Sequence, residues 1–193
     1  MYVLVESGII TKHFNKPRGF TLGNLQYPAD IFMKWSTAEK EAIGIYGVVF
    51  DDSNKKDEQW YINTNQSFAF ANDTVTASYG PATAQAHADV TETIDGVEST
   101  TPGLKTNLIK DLKTTVANIL AKTDWYITRN TEKSTAIPSA ISTHRDAVRT
   151  KQASIEAQIT GAADTAALET LHTYTTTDGV QSRPLGTLPT LEL

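Results

Sequence analysis

The chain has 193 residues, 17 lysines and arginines against 22 aspartates and glutamates, no cysteine, and a net charge of −5. That length holds one large domain or two small ones and is enough to bury a core. The lack of cysteine excludes disulfides and thiolate metal sites, so packing or assembly must supply the stability.

Residues 2–5 (Tyr-Val-Leu-Val) have strand composition and Glu6-Ser-Gly8 is a turn signal, which predicts a small hairpin at the start. The N-terminus lacks a basic flank and a cleavage pattern, so it reads as structure and not as a signal peptide. Residues 15–28 are rich in Asn, Gly and Pro, but Phe20, Leu22, Leu25 and Tyr27 alternate through them as an extended segment would. Ser36-Thr-Ala-Glu39 fits a capping box. It predicts a brief helix from Thr37 to Ile43 that stops at Gly44. Residues 45–50, 60–62, 67–70 and 74–79 read as short antiparallel strands separated by Asn/Asp turns, a meander more than a barrel. A composition shift over residues 81–103 reads as a linker.

The helical half follows. Leu104, Leu108, Leu112, Val116, Ile119, Leu120 and Tyr126 keep a three-and-four spacing, one buried stripe of an amphipathic helix. After a polar break at residues 130–135, Pro138 opens a second helix. Its Ile141, Val148, Ile155 and Ile159 share a face. Two stripes joined by a short polar turn predict an antiparallel helical hairpin. Asp164 or Thr165 caps a last short helix. The expected fold is therefore α+β: a small antiparallel β-rich domain over 1–80, the linker over 81–103, the helical hairpin over 104–160, and a short helix with an extended tail over 161–193.

Within the hairpin, Asp124 and Arg145 lie at matched distances from the turn, so Asp124 is expected to pair with Arg145 or Arg149. Trp125 and Tyr126 point about 100° apart on a helix, so one of them is expected to be the buried key of the hairpin. In the tail, Pro184 and Pro189 forbid a continuous helix, while Leu185, Leu188, Leu191 and Leu193 carry more apolar surface than a solvated terminus. The tail is expected either to lie across a neighbouring subunit or to fold back onto the strand-rich half.

Few side chains suggest chemistry. The histidines His13, His87, His144 and His172 have no metal-ligand spacing, and no nucleophile elbow, phosphate loop or dinucleotide fingerprint is present. No catalytic residue, cofactor or metal is expected. Tyr2, Tyr27, Trp35, Trp60, Phe68 and Phe70 read as core, with a binding groove as the alternative. Residues 101–160 carry nine basic against five acidic side chains. Lys105, Lys110, Lys113 and Lys122 are spread along the wet face, so no nucleic-acid partner is expected. No apolar run approaches the roughly 20 residues that span a bilayer, so no membrane insertion is expected.

Leu120-Ala-x-Thr-Asp-Trp-Tyr-x-x-Arg129, then Glu132, Ile137-Pro138 and Arg145-x-x-x-Arg149, resembles the C-terminal module of the tail-fibre assembly and tail-fibre-associated proteins of tailed bacteriophages. Gly44-Ile-Tyr-Gly-Val48 after the short helix is similar to the segment that opens those chains. The chain departs from the family at His144, where a tyrosine usually precedes the arginine. The resemblance implies a non-enzymatic tail protein of the virion, made in the bacterial host, that binds a fibre or baseplate partner, with a second copy of itself as a further candidate partner. Asp124, Trp125, Tyr126, Arg129, Arg145, Arg149, Leu185, Leu188 and Leu191 are the candidate structural and contact residues. A glycan-recognising, receptor-binding module of the tail is the alternative.

Overall fold

Val3-Leu4-Val5 is apolar on both sides of the pleat, which suits a strand covered on both faces. The computed structural model describes residues 1–191 and places that run inside a five-stranded sheet. The protein is α+β, a strand-rich N-terminal part with antiparallel sheets followed by a helical C-terminal part. It divides into two compact units, Met1–Thr83 and Ala84–Leu193.

In the first unit, β1 (Tyr2–Glu6) pairs with β2 (Ile9–Phe14) through the expected turn at Ser7-Gly8. A short hairpin, β3 (Phe20–Leu22) and β4 (Leu25–Tyr27), forms where alternation predicted an extended segment. Helices α1 (Ile31–Lys34) and α2 (Thr37–Glu41) precede β5 (Ile45–Asp51). The capping box is complete: the Glu39 N–H donates to Ser36 Oγ, and the Ser36 N–H donates to Glu39 Oε2. After β6 (Tyr61–Ile62), β7 (Ser67–Ala71) and β8 (Thr74–Ser78) form a hairpin through Asn72 and Asp73, both with positive φ.

The sheet order is β2-β1-β5-β8-β7, and β5 runs parallel to β8. This corrects the meander, in which sequential strands would pair. β8 buries Val75 and Ala77 completely, whereas β7, despite its two phenylalanines, buries none of its residues fully, so the interior place goes to the strand with the smaller side chains. Leu4 faces a cluster of Phe14, Phe20, Ile31, Phe32 and Ile45, while Val3 and Val5 face Val75 on the other side. Trp60 is buried, and Tyr2, Tyr27 and Trp35 pack against the first cluster, as the core reading of the aromatics requires.

Gly44 ends the α2 turn at φ +80°, and a Cβ there would overlap the Val5 carbonyl oxygen. Gly44→Ala is therefore expected to cost about 1–3 kcal/mol from the backbone conformation alone, with the clash in addition. An unchanged melting temperature would show that the turn is not rigid.

In the second unit, β9 (Thr83–Ala84) marks the boundary and a hairpin follows, β10 (Val90–Ile94) and β11 (Val97–Thr101). It stands in the stretch expected to be a linker. The Asp95-Gly96 turn, with positive φ at both residues, gives the strands a hairpin connection that composition alone hid. The chain then enters α3 (Leu104–Ala121) through a tight approach in which a Cβ on Gly103 would overlap the Ala88 carbonyl. Asp89 accepts from Thr106 Oγ1 at 2.7 Å and from the Gly103 N–H at 2.8 Å.

Those two bonds, the Thr106 bond first, hold the Asp89 carboxyl below its usual range. A depressed carboxylate contributes stability above its unfolded value, near pH 4, and loses it as pH falls through the folded value. Asp89→Ala is therefore expected to melt below the parent at neutral pH, the two curves converging in acid. Parallel curves across that range would sink this account.

The first long helix does not run unbroken as its stripe predicted. It stops at Ala121, and α4 (Asp124–Lys133) restarts after Lys122-Thr123. Thr123 has φ −118° and ψ 5°, and its hydroxyl donates to the Leu120 carbonyl at 3.0 Å, a local bond that competes with the helix ladder. Ser134 ends α4 in the left-handed region. Pro138 then precedes α5 (Ser139–Gly161) as expected. Lys105 Nζ reaches the Thr160 carbonyl at 2.9 Å, which places α3 and α5 antiparallel. Ile141, Val148, Ile155 and Ile159 are all buried, whereas Val116 is the one fully buried member of the α3 stripe. Asp164 caps α6 (Thr165–His172) by accepting from the Ala167 N–H. A second Asp-Gly hairpin, β12 (Thr175–Thr177) and β13 (Val180–Ser182), precedes the tail.

Candidate functional site

Arg145 is the centre of the helical unit. Its side chain is 9% exposed, and Nη1 donates to Thr123 Oγ1 at 2.7 Å and to the Leu120 carbonyl at 2.8 Å. The same nitrogen lies 2.8 Å from Asp124 Oδ1, the ion pair that matched spacing predicted. The arginine thus binds the carbonyl released by the break between α3 and α4, together with the hydroxyl that causes the break. Asp124 is 60% exposed, so it tops this bond set from the solvent side. Arg149 does not join them. It pairs along its own helix with Asp146 at 3.3 Å, both side chains largely exposed, a contact of small energetic weight.

α4 buries none of its residues fully. Trp125 is 51% exposed and Tyr126 half-buried, their ring centres 3.8 Å apart. The expectation that one of these aromatics is the buried key of the hairpin is therefore corrected. The two rings lie against each other at the surface, and the buried key is Arg145. The Arg129 guanidinium sits 4.7 Å from the Trp125 ring centre and 5.3 Å from that of Tyr126, within cation–π range. Its Nε is buried without a hydrogen-bond partner among the described residues.

Beside this stack lies a cleft of about 500 Å³ walled by Ile119, Tyr126, Ile141, Leu188 and Leu191, with Lys122 and His144 among its polar groups. The tail forms one of its walls. Leu185 is 2% exposed and its N–H donates to the Leu171 carbonyl at 3.2 Å. Leu185 and Leu188 then line a smaller cavity with Leu108, Leu112, Ile155 and Ile159. The tail thus packs on its own helical unit. This corrects the expected return to the strand-rich half. The apolar seam between α3 and α5 gives the leucines a nearer place to go. Leu193 lies outside the described residues.

His172, at the end of α6, is held below its usual range chiefly by burial, with the Arg183 charge adding to the effect. Among the described residues no group of three or more His, Asp or Glu is placed to hold a metal ion, and no helix is long and apolar enough to cross a membrane. From the sequence, Lys122 reads only as a wet-face lysine and His144 as a lone histidine, not as cleft residues, and the exposed hairpin tip at Ile94 and Val97 is not foreseen. The Asp95-Gly96 and Asp178-Gly179 dipeptides, the usual signal of a two-residue hairpin turn, could have revealed both ribbons. No family model matches the chain, and neither does any curated protein or solved structure.

Proposed function

We propose that this chain is a non-enzymatic component of a bacteriophage tail that binds a fibre or baseplate protein, as a virion part or as an assembly factor. The reading begins from the resemblance over Leu120 to Arg149. The observation that supports it is that Leu120, Thr123, Asp124 and Arg145, four positions of that motif, form one bonded cluster, with Trp125 and Arg129 presented beside it on α4. An exposed tryptophan stacked with an arginine has the composition that dominates protein–protein contacts. The cluster fixes the start of α4, and so orients the surface that meets the partner.

Mass spectrometry of purified particles and of affinity-isolated fibre complexes tests the reading. The chain is expected in one of the two, and Trp125→Ala is expected to reduce the co-purified fibre or baseplate protein. A chain found in neither preparation sinks the proposal. The glycan-recognising alternative would rest on Trp125, since Trp60 is only 3% exposed. Glycan binding lost with Trp125→Ala, and no protein partner, would favour it.

A further inference from the structure

Every strand residue of the β10–β11 hairpin is exposed. Ile94 and Val97 are 60% and 68% exposed and stand opposite one another across the ladder. Directly paired residues point to the same face, so the two form an aliphatic tip. Glu92, Asp95 and Glu98 surround it, and residues 90–101 contain no basic side chain. A two-stranded ribbon wet on both faces is marginal without cover.

The β12–β13 hairpin supplies an internal contrast. Residues 93–99 and 176–182 share the string Thr-x-Asp-Gly-Val-(Glu/Gln)-Ser. The second copy has Thr177 where the first has Ile94, and Gln181 in place of Glu98. The turn itself therefore does not require the isoleucine or the acid. They belong to the first hairpin alone.

The cleft beside α4 has complementary properties. Its walls are aliphatic and aromatic, and Lys122 stands in its lining without a carboxylate partner among the described residues. We infer that the acidic aliphatic tip of one copy enters the cleft of a second copy, head to tail. A chain cannot fill its own cleft this way. The 18 residues of α3 span about 27 Å between the base of the hairpin and the cleft at Ile119 to Tyr126. The exposed ribbon also does not fold back along that helix. Tip and cleft are different patches, so the contact is heterologous and builds a ring or a filament. Opposite charges flank an apolar plug, so salt weakens it. The inference goes beyond the tail-fibre reading and does not rest on it.

Sedimentation equilibrium of the full chain tests this. The mean mass is expected to rise with concentration, and less so in high salt. Ile94→Asp and Lys122→Glu should each weaken association by about tenfold or more. Both replace exposed side chains, so circular dichroism should be unchanged, and Val97→Asp serves as an independent tip variant. Mixed in equal amounts, Ile94→Asp and Lys122→Glu should form a dimer and stop there, because the first supplies only an intact cleft and the second only an intact tip. A chain still monomeric at about 1 mM overturns the inference. So does association that the variants leave unchanged, or a mixture that stays monomeric.

Discussion

Arg145→Ala will destabilise the helical unit by about 3–6 kcal/mol, because hydrogen bonds to a charged group contribute about 1.5–3 kcal/mol each and one guanidinium nitrogen makes two. It donates to the Leu120 carbonyl and to Thr123 Oγ1, and both bonds lie where the α3 ladder is interrupted. Removing the donor leaves that carbonyl with only the local Thr123 bonds, and takes away the strut that sets α4 against α5. Asp124→Ala will behave differently. Its carboxylate is 60% exposed, so the ion pair is worth about 0–1 kcal/mol. Arg145→Lys will recover little, since a shorter, strongly hydrated ammonium does not take up the buried position of Nη1 between its acceptors. Thermal melts of the three variants check the order. Equal losses from Asp124→Ala and Arg145→Ala would mean that the ion pair, not the clamp on the helix break, holds the junction.

Leu185→Ala will cost about 2–4 kcal/mol in the isolated chain, within the range for emptying a buried leucine site. The side chain is 2% exposed, and its backbone N–H is tied to Leu171. Leu188 is half-buried, so its alanine variant should cost less. A chain ending at Gly179 loses the docked leucines and one strand of the second hairpin, and is expected to melt well below the parent without any partner present. If Leu185→Ala and the truncated chain both melt like the parent while partner binding fails, the tail acts on another molecule and its packing in cis is incidental.

Several elements were legible because their cause is local. The Ser36/Glu39 box, the left-handed Gly44, the Pro138 start, the Asp164 cap and the buried face of Ile141, Val148, Ile155 and Ile159 each depend on residues a few positions apart. Spacing alone also predicted the Asp124–Arg145 pair, since antiparallel helices put residues equally far from a turn at one level. The break at Thr123 was not legible. The apolar stripe continues across it, and one of the bonds to the freed Leu120 carbonyl comes from Arg145, 25 residues away. Nor could periodicity show that β8 would pair with β5, because that parallel pairing skips the intervening β6 and β7 and leaves no mark in local alternation. The tail leucines announced that they would dock, but not where. The site was settled by a seam between α3 and α5 that exists only once the two helices have packed.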